Sequence, residues 1–274
     1  MTYTEEQIQN FNNQNFAYLI IEEKENVLYI TLNRPEKRNA FHLYLANELA
    51  YALAYAHYTN SIWCVVLKAN GPIFCAGADL KAFAGENTAE KTSTIPMPKD
   101  VIKLGDEFNG LHKPCIAQVH ADVYAGGFLM IGGCTHVIAV ESAKFGLPEV
   151  KRGIFPFQVM ATLEPLMSAR QLLDLCIRAK ILSAKEAQEI GIVSEVVKEE
   201  NLELRVQELI GEIKEQSPTA IRLGLKAFQE MKTKNAEEKH KYLHTMLMDC
   251  LKSKDAAEGL LAFKEKRKPN WSGN

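Results

Sequence analysis

Three short segments hold the residues whose types and spacing suit chemistry. Ala76-Gly77-Ala78-Asp79 and Ala125-Gly126-Gly127 each follow a strand-like apolar run, and Ala143-Lys144-Phe145-Gly146-Leu147-Pro148-Glu149-Val150 ends on a carboxylate. A turn of small residues leading from a strand into a helix leaves backbone N–H groups unpaired and reachable. Two such turns side by side aim two donors at one oxygen, which is what an enolate needs. Each preorganised donor is worth about 3 kcal/mol to the developing charge. Glu149 adds a group that can take a proton and return it. Each segment alone reads as an ordinary turn or a solvated acid; the case rests on their order and separation.

Other chemistries find no support. There is no G-x-G-x-x-G after a strand, no phosphate-binding G-x-x-x-x-G-K, no G-x-S-x-G and no H-E-x-x-H. His240 and His244 have the i, i+4 spacing of a metal pair, but they lie in a Lys/Glu-rich helical stretch with no third ligand, so no metal is expected. His120, at the end of a strand-like run, reads as structural. No cofactor is expected.

The elements that must position these segments follow from the hydrophobic pattern. A chain of 274 residues is long enough for one large domain that buries about 75% of its unfolded surface without a disulfide or metal. Apolar residues at 47% and charged residues at 24% are ordinary globular usage, and the net charge of −2 argues against a chain built to hold nucleic acid or an anionic membrane. The six cysteines form no C-x-x-C pair and sit among apolar neighbours, as buried thiols of a reducing compartment do. The polar N-terminus lacks a signal-like pattern and no apolar run reaches 18 residues, so the expectation is a cytoplasmic protein without a membrane span.

Residues 1–15 are polar and are expected to fray. Residues 17–22 and 27–32 predict a hairpin across the charged break at 23–26. Leu45, Leu49 and Leu53 mark a helix over 42–57. Strands are expected at 61–68, 115–120 and 135–140, and helices at 101–111 and from 128. Residues 85–99 are aperiodic and are expected to form a mobile loop. Alternating strands and helices up to residue 140 predict an α/β fold. From about 198 the pattern turns to successive helices, so 16–197 is expected as the core and 198–274 as a helical subdomain.

On these residues the sequence resembles the crotonase superfamily, the enoyl-CoA hydratase/isomerase family. The matching text is Leu32-Asn33-Arg34-Pro35 with Asn39-Ala40, Phe74 to Leu80, Lys113-Pro114, Ala125-Gly126-Gly127, Lys144 to Val150, Leu182 to Ala187, and Glu258-Gly259 with Ala262 to Pro269. It covers about residues 16–270. The resemblance implies a spiral of ββα units, with the C-terminal helices covering the site and building a homotrimer or a dimer of trimers. It implies an acyl-CoA thioester as substrate, its oxygen held by the N–H groups of Ala78 and Gly126. It places Arg34, Lys37 and Arg38 near the CoA adenine and phosphates, with Phe263 and Lys266 reaching CoA from a neighbouring subunit. Ala40, Ala76, Asp79, Leu80, Leu129, Pro148 and Phe157 are implied as further substrate contacts.

Hydratases of that family use two glutamates to activate one water. Here the second is Glu149, but the position of the first, three residues after Gly126, is Leu129. Gly153-Ile154-Phe155-Pro156-Phe157-Gln158 also stands where hydratases place a Gly-rich turn. Both departures resemble the Δ3,Δ2-enoyl-CoA isomerases, in which one carboxylate moves a proton from C2 to C4. A dry wall at Leu129 suits that reaction. Three alternatives stay open: a hydratase using Glu149 with help from His120, Asp122 or Tyr124; a decarboxylase or other enolate chemistry of the family; and a non-catalytic binder.

Overall fold

A computed structural model describes residues 1–86 and 92–274. Its strands in chain order are β1 (Leu19–Lys24), β2 (Val27–Leu32), β3 (Cys64–Ala69), β4 (Cys115–Val119), β5 (Val123–Tyr124), β6 (His136–Val140), β7 (Lys144–Gly146), β8 (Ile181–Ser183) and β9 (Glu195–Val197). Six of them form one sheet in the order β1-β2-β3-β4-β6-β9, and β5-β7-β8 form a second, small one. The predicted hairpin is present: β1 and β2 pair antiparallel, and Glu25 and Asn26 turn at φ 49° and 68°. Two left-handed residues match the twist of the strands they join. From β2 onward the large sheet is parallel. Its central strands are therefore covered on both faces and read as continuous apolar runs, as in Val65-Val66-Leu67.

The helices are α1 (Leu43–Tyr58), α2 (Leu80–Phe83), α3 (Leu104–Gly110), α4 (Phe128–Ile131), α5 (Phe157–Leu163), α6 (Ala169–Arg178), α7 (Ala184–Glu189), α8 (Leu202–Lys214), α9 (Pro218–Glu230), α10 (Ala236–Leu251) and α11 (Lys254–Glu265). α1 is capped by His42, whose Nδ1 accepts from the Leu45 N–H at 3.1 Å, and its Leu and Ala residues are buried on nearly every side. Glu48 is buried among them and accepts from the N–H groups of Ala17, Tyr18 and Leu19, so this helix anchors the start of β1. No helix among the described residues is long and apolar enough to cross a membrane. All six cysteines are free thiols.

Several expectations shift. The strand expected from Ser61 starts at Cys64, because the Trp63 and Cys64 N–H groups turn back onto the Asn26 carbonyl. The helix expected over 101–111 is shorter at both ends. Of the loop expected to be mobile over 85–99, residues 87–91 lie outside the described residues. Its far side is tied down: Asn15 exchanges hydrogen bonds with Thr92 and Thr94, and the Asn47 amide reaches the Pro96 carbonyl.

The N-terminal segment, expected to fray, packs instead. Tyr3, Ile8 and Phe11 are buried. Phe11 stacks on Tyr55 with ring centroids 3.7 Å apart and on Tyr51 at 5.6 Å, while Thr2 binds the Glu107 carboxylate. A few aromatics in a polar run suffice to seat it on α1. Phe11→Ala should therefore lower unfolding stability by about 3 kcal/mol, measured by urea denaturation. A frayed segment would leave the midpoint unchanged.

Candidate active site

Three backbone lines run parallel and leave the fold at one end. Cys75 bridges Val123, and β5 pairs with β7 in the register Val123↔Phe145, Tyr124↔Gly146. The residues that follow, 76–78, 125–126 and 147–149, therefore emerge side by side. The first of these turns follows a single bridged residue rather than a full strand.

The first two turns touch. A β-carbon at Gly77 would lie 2.6 Å from Ala125 Cβ and 2.9 Å from Gly126 N, and one at Gly126 would lie 3.4 Å from Ala78 N. Gly77 has φ +92° and no side chain fits there. Ala78 is bridged to Phe41: the Phe41 N–H donates to Gly77 O at 2.9 Å and the Asp79 N–H to Phe41 O at 2.8 Å. That ladder uses the peptide groups flanking Ala78 and leaves its own N–H pointing the other way. Gly126 is the second residue of the 3-10 turn Ala125–Gly127, where an N–H has no acceptor within the turn. Ala125 enters that turn at φ 52°, a conformation that costs a non-glycine residue about 1–2 kcal/mol. Two peptide donors thus flank one small space.

Glu149 opens the 3-10 turn Glu149–Arg152 directly after β7 and Leu147-Pro148. Its Oε2 is buried, and no donor among the described residues reaches it. Burial raises its pKa above the ordinary carboxylate value, against smaller lowering contributions from its own backbone N–H and from the Arg152 charge. Behind it stands Cys176 of α6, fully buried, its thiol pushed up first by burial and then by the Glu149 charge.

Beside the turns opens a cavity of about 630 Å³, within the range of small-molecule sites. Leu129, on α4 one turn beyond Gly126, is nearly buried and forms part of its wall with Phe41, Ala46, Ala82, Ile102 and Leu104. His42, Asp79, Gln158 and Thr162 add polar groups. His120, Asp122 and Tyr124 are occupied elsewhere. The His120 ring bonds Gly71 O at 2.7 Å. Asp122 accepts from the Tyr124 hydroxyl at 2.8 Å and from the Lys144 N–H at 2.9 Å.

Other expected contacts fall differently. Arg34 does not face a ligand: at 0% exposure it binds the Ala40 carbonyl and the Asp79 carboxylate, both at 2.8 Å. Partial burial alone would raise the Asp79 pKa, and Arg34 reverses this and holds it low. Arg34 is a clamp that joins the 34–40 loop to the residue after Ala78. Lys37 and Arg38 are exposed, whereas Ala40, Ala76 and Pro148 are partly buried close to the three turns. Leu80 is exposed and stands outside the cavity wall, which takes its neighbours Asp79 and Ala82 instead. Phe157 is 68% exposed and leans on Phe155, so α5 faces the cavity with Gln158, Ala161 and Thr162. Phe263 and Lys266 are exposed at the end of α11, as are His240 and His244 on α10.

Asn39 and Phe41 were not singled out as site residues. Asn39 is buried, accepts from the Arg34 N–H and donates to the Asn70 and Ile73 carbonyls, all within 2.9 Å. Its place in the matched loop was the available signal. Its left-handed φ of 51° was not legible.

A family model described as enoyl-CoA hydratase/isomerase matches residues 22–274. The mevalonyl-coenzyme A hydratase sidH of Aspergillus fumigatus is 30% identical over 249 residues, covering 89% of this chain and 91% of that protein. The 2,3-dehydroadipyl-CoA hydratase of Escherichia coli is 31% identical over 265 residues, covering 93% and 98%. Among solved structures, an enoyl-CoA hydratase from Mycobacterium tuberculosis H37Rv superposes with a TM-score of 0.82 at 26% identity, covering 94% of this chain and 99% of that one. One from Bacillus anthracis gives 0.81 at 28%, covering 94% and 100%.

Arg34→Met should cost about 3 kcal/mol of stability by leaving Asp79 without its buried partner, read by thermal or urea unfolding without any ligand. An arginine that served only to hold a ligand would leave unfolding unchanged.

Proposed function

Because the chain belongs to the enoyl-CoA hydratase/isomerase family of crotonase-fold, acyl-CoA enzymes, we propose that it shifts the double bond of a 3-enoyl-CoA to the 2,3 position. The Ala78 and Gly126 N–H groups donate to the thioester oxygen. Glu149, ionised, removes a proton from C2. The electron pair moves through the dienolate onto the oxygen between the two amides. The same carboxyl then returns the proton to C4, and the double bond is left at C2=C3. No water enters and no redox change occurs.

One observation supports isomerisation above hydration: an apolar Leu129, rather than a second carboxyl, lines the cavity at the position three residues after Gly126. Excluding water there protects the dienolate from a competing addition. The polar groups that could replace a second glutamate, on His120, Asp122 and Tyr124, already have partners. Hydration is the second reading, favoured by the names of the relatives, which are hydratases. We also propose a trimeric assembly, in keeping with the outward Leu243, Leu247 and Leu251 of α10 and with Phe263, 87% exposed on α11. In that assembly Phe263 and Lys266 serve CoA bound to a neighbouring copy. A cytoplasmic location is part of the proposal.

With 3-enoyl-CoA and 2-enoyl-CoA offered separately, isomerisation should outpace hydration; the reverse order selects the second reading. Glu149→Gln should lose about 10²–10⁴-fold in kcat, and unchanged turnover excludes Glu149 as the base. As the base must be ionised, kcat/KM should rise with pH through a pKa above the ordinary carboxylate value. The sign for stability is opposite. The folded state holds the Glu149 proton more tightly than the unfolded chain, so stability falls as pH climbs from the unfolded pKa through the folded one. Glu149→Gln should therefore be more stable than the parent above that window and gain less below it, measured by thermal unfolding across pH.

A further inference from the structure

We infer that Phe41 makes the site selective for acyl thioesters unbranched at C2. The inference rests on the reading that Ala78 and Gly126 hold the thioester oxygen. The Phe41 ring packs against Gly126: a β-carbon there would lie 2.8 and 2.9 Å from its Cε1 and Cζ, and 3.4 Å from the Ala78 N. The ring is partly exposed and lines the cavity along with Leu129. It therefore belongs both to the cavity wall and to the packing around Gly126 and Ala78.

Its position is fixed by the backbone. Phe41 is bridged to Ala78 through both of its own peptide groups, at 2.9 and 2.8 Å, and Arg34 holds the preceding Ala40 carbonyl. The Phe41 main chain cannot retreat without pulling the Ala78 turn with it, so the ring yields only by turning about its own side-chain bonds. A thioester oxygen between the amides puts its carbon about 1.2 Å away, and C2 one further bond of about 1.5 Å. Hydrogen at C2 fits beside the ring. A methyl at C2 has to be placed against it, in a wall that cannot yield freely.

A misfit of one methyl group in a shaped pocket discriminates by about 10–200-fold. The test uses saturated thioesters, so that binding is read apart from the reaction. Dissociation constants for butyryl-CoA and 2-methylbutyryl-CoA are measured by calorimetry for the parent, Phe41→Leu and Phe41→Ala. The parent should prefer the straight chain at least tenfold, and both variants should narrow the ratio to about threefold or less. Phe41→Leu keeps an apolar filler and both backbone bonds, so it serves where Phe41→Ala fails to fold. Equal affinity of the parent for the two thioesters, or a ratio unmoved by the variants, overturns the role of Phe41 while leaving the acyl-CoA reading intact. Absence of binding by either thioester to the parent overturns that reading and this inference with it.

Discussion

The contact on which the site depends is between two stretches of main chain, at Gly77 and at Ala125-Gly126. They approach so closely that a single methyl group at Gly77 would sit 2.6 Å from its neighbour. That approach brings two peptide N–H groups to one side of the fold without a lysine, arginine or metal. It also explains the expense nearby. Ala125 holds a left-handed backbone, and Arg38 and Asn39 hold two more in succession. The buried Arg34–Asp79 pair and the three side-chain hydrogen bonds of Asn39 tie the 34–40 loop down against that strain. Arg34 and Asn39 are directed inward and hold peptide geometry, while Glu36, Lys37 and Arg38 of the same loop face outward.

Placing a carboxylate beside such a site creates a conflict that burial resolves. An exposed glutamate is a weak base, and one with several donors is weaker still. Glu149 receives little help: one oxygen has no donor among the described residues, Cys176 stands behind it with a thiol that stays protonated, and Arg152 is the charge that opposes the shift. Burial thus makes Glu149 a stronger base than an exposed glutamate, as the proposed proton transfer requires.

Much of this arrangement was legible in the sequence, and the failures have physical causes. The two small-residue turns and the Pro-Glu pair stood in the chain as recognisable text, and the parallel register of Cys75, Val123 and Phe145 brings their ends together. β2 falls on the expected residues and α1 within one residue of them, while β1 runs two residues later than expected, to Lys24. The N-terminal segment was misread because its three anchors, Tyr3, Ile8 and Phe11, have no period within a polar run; only the partner surface of Tyr51 and Tyr55 makes them a core. Arg34 was misread because a basic residue in a polar loop looks the same whether it faces solvent or an aspartate 45 positions away. Phe157 and Gln158 exchange places because a short helix entered through Gly153 and Pro156 has its rotation set only by packing. Strands of two or three residues, such as β5 and β7, are below what alternation can reveal.

Those short strands have a consequence of their own. The turns that carry Gly126 and Glu149 follow β5 and β7 of the small sheet, while the bulk of the apolar burial belongs to the six-stranded one. Few ladder bonds tie the ledge together, and its coherence rests instead on the buried side chains of Cys75, Val123 and Phe145 beneath it. A bound thioester that spans both peptide donors would stitch its members to one another. Amide exchange at residues 75–78 and 123–126 would then slow on occupancy while the large sheet keeps its own clock, which makes the ledge a built-in gauge of whether the site is filled.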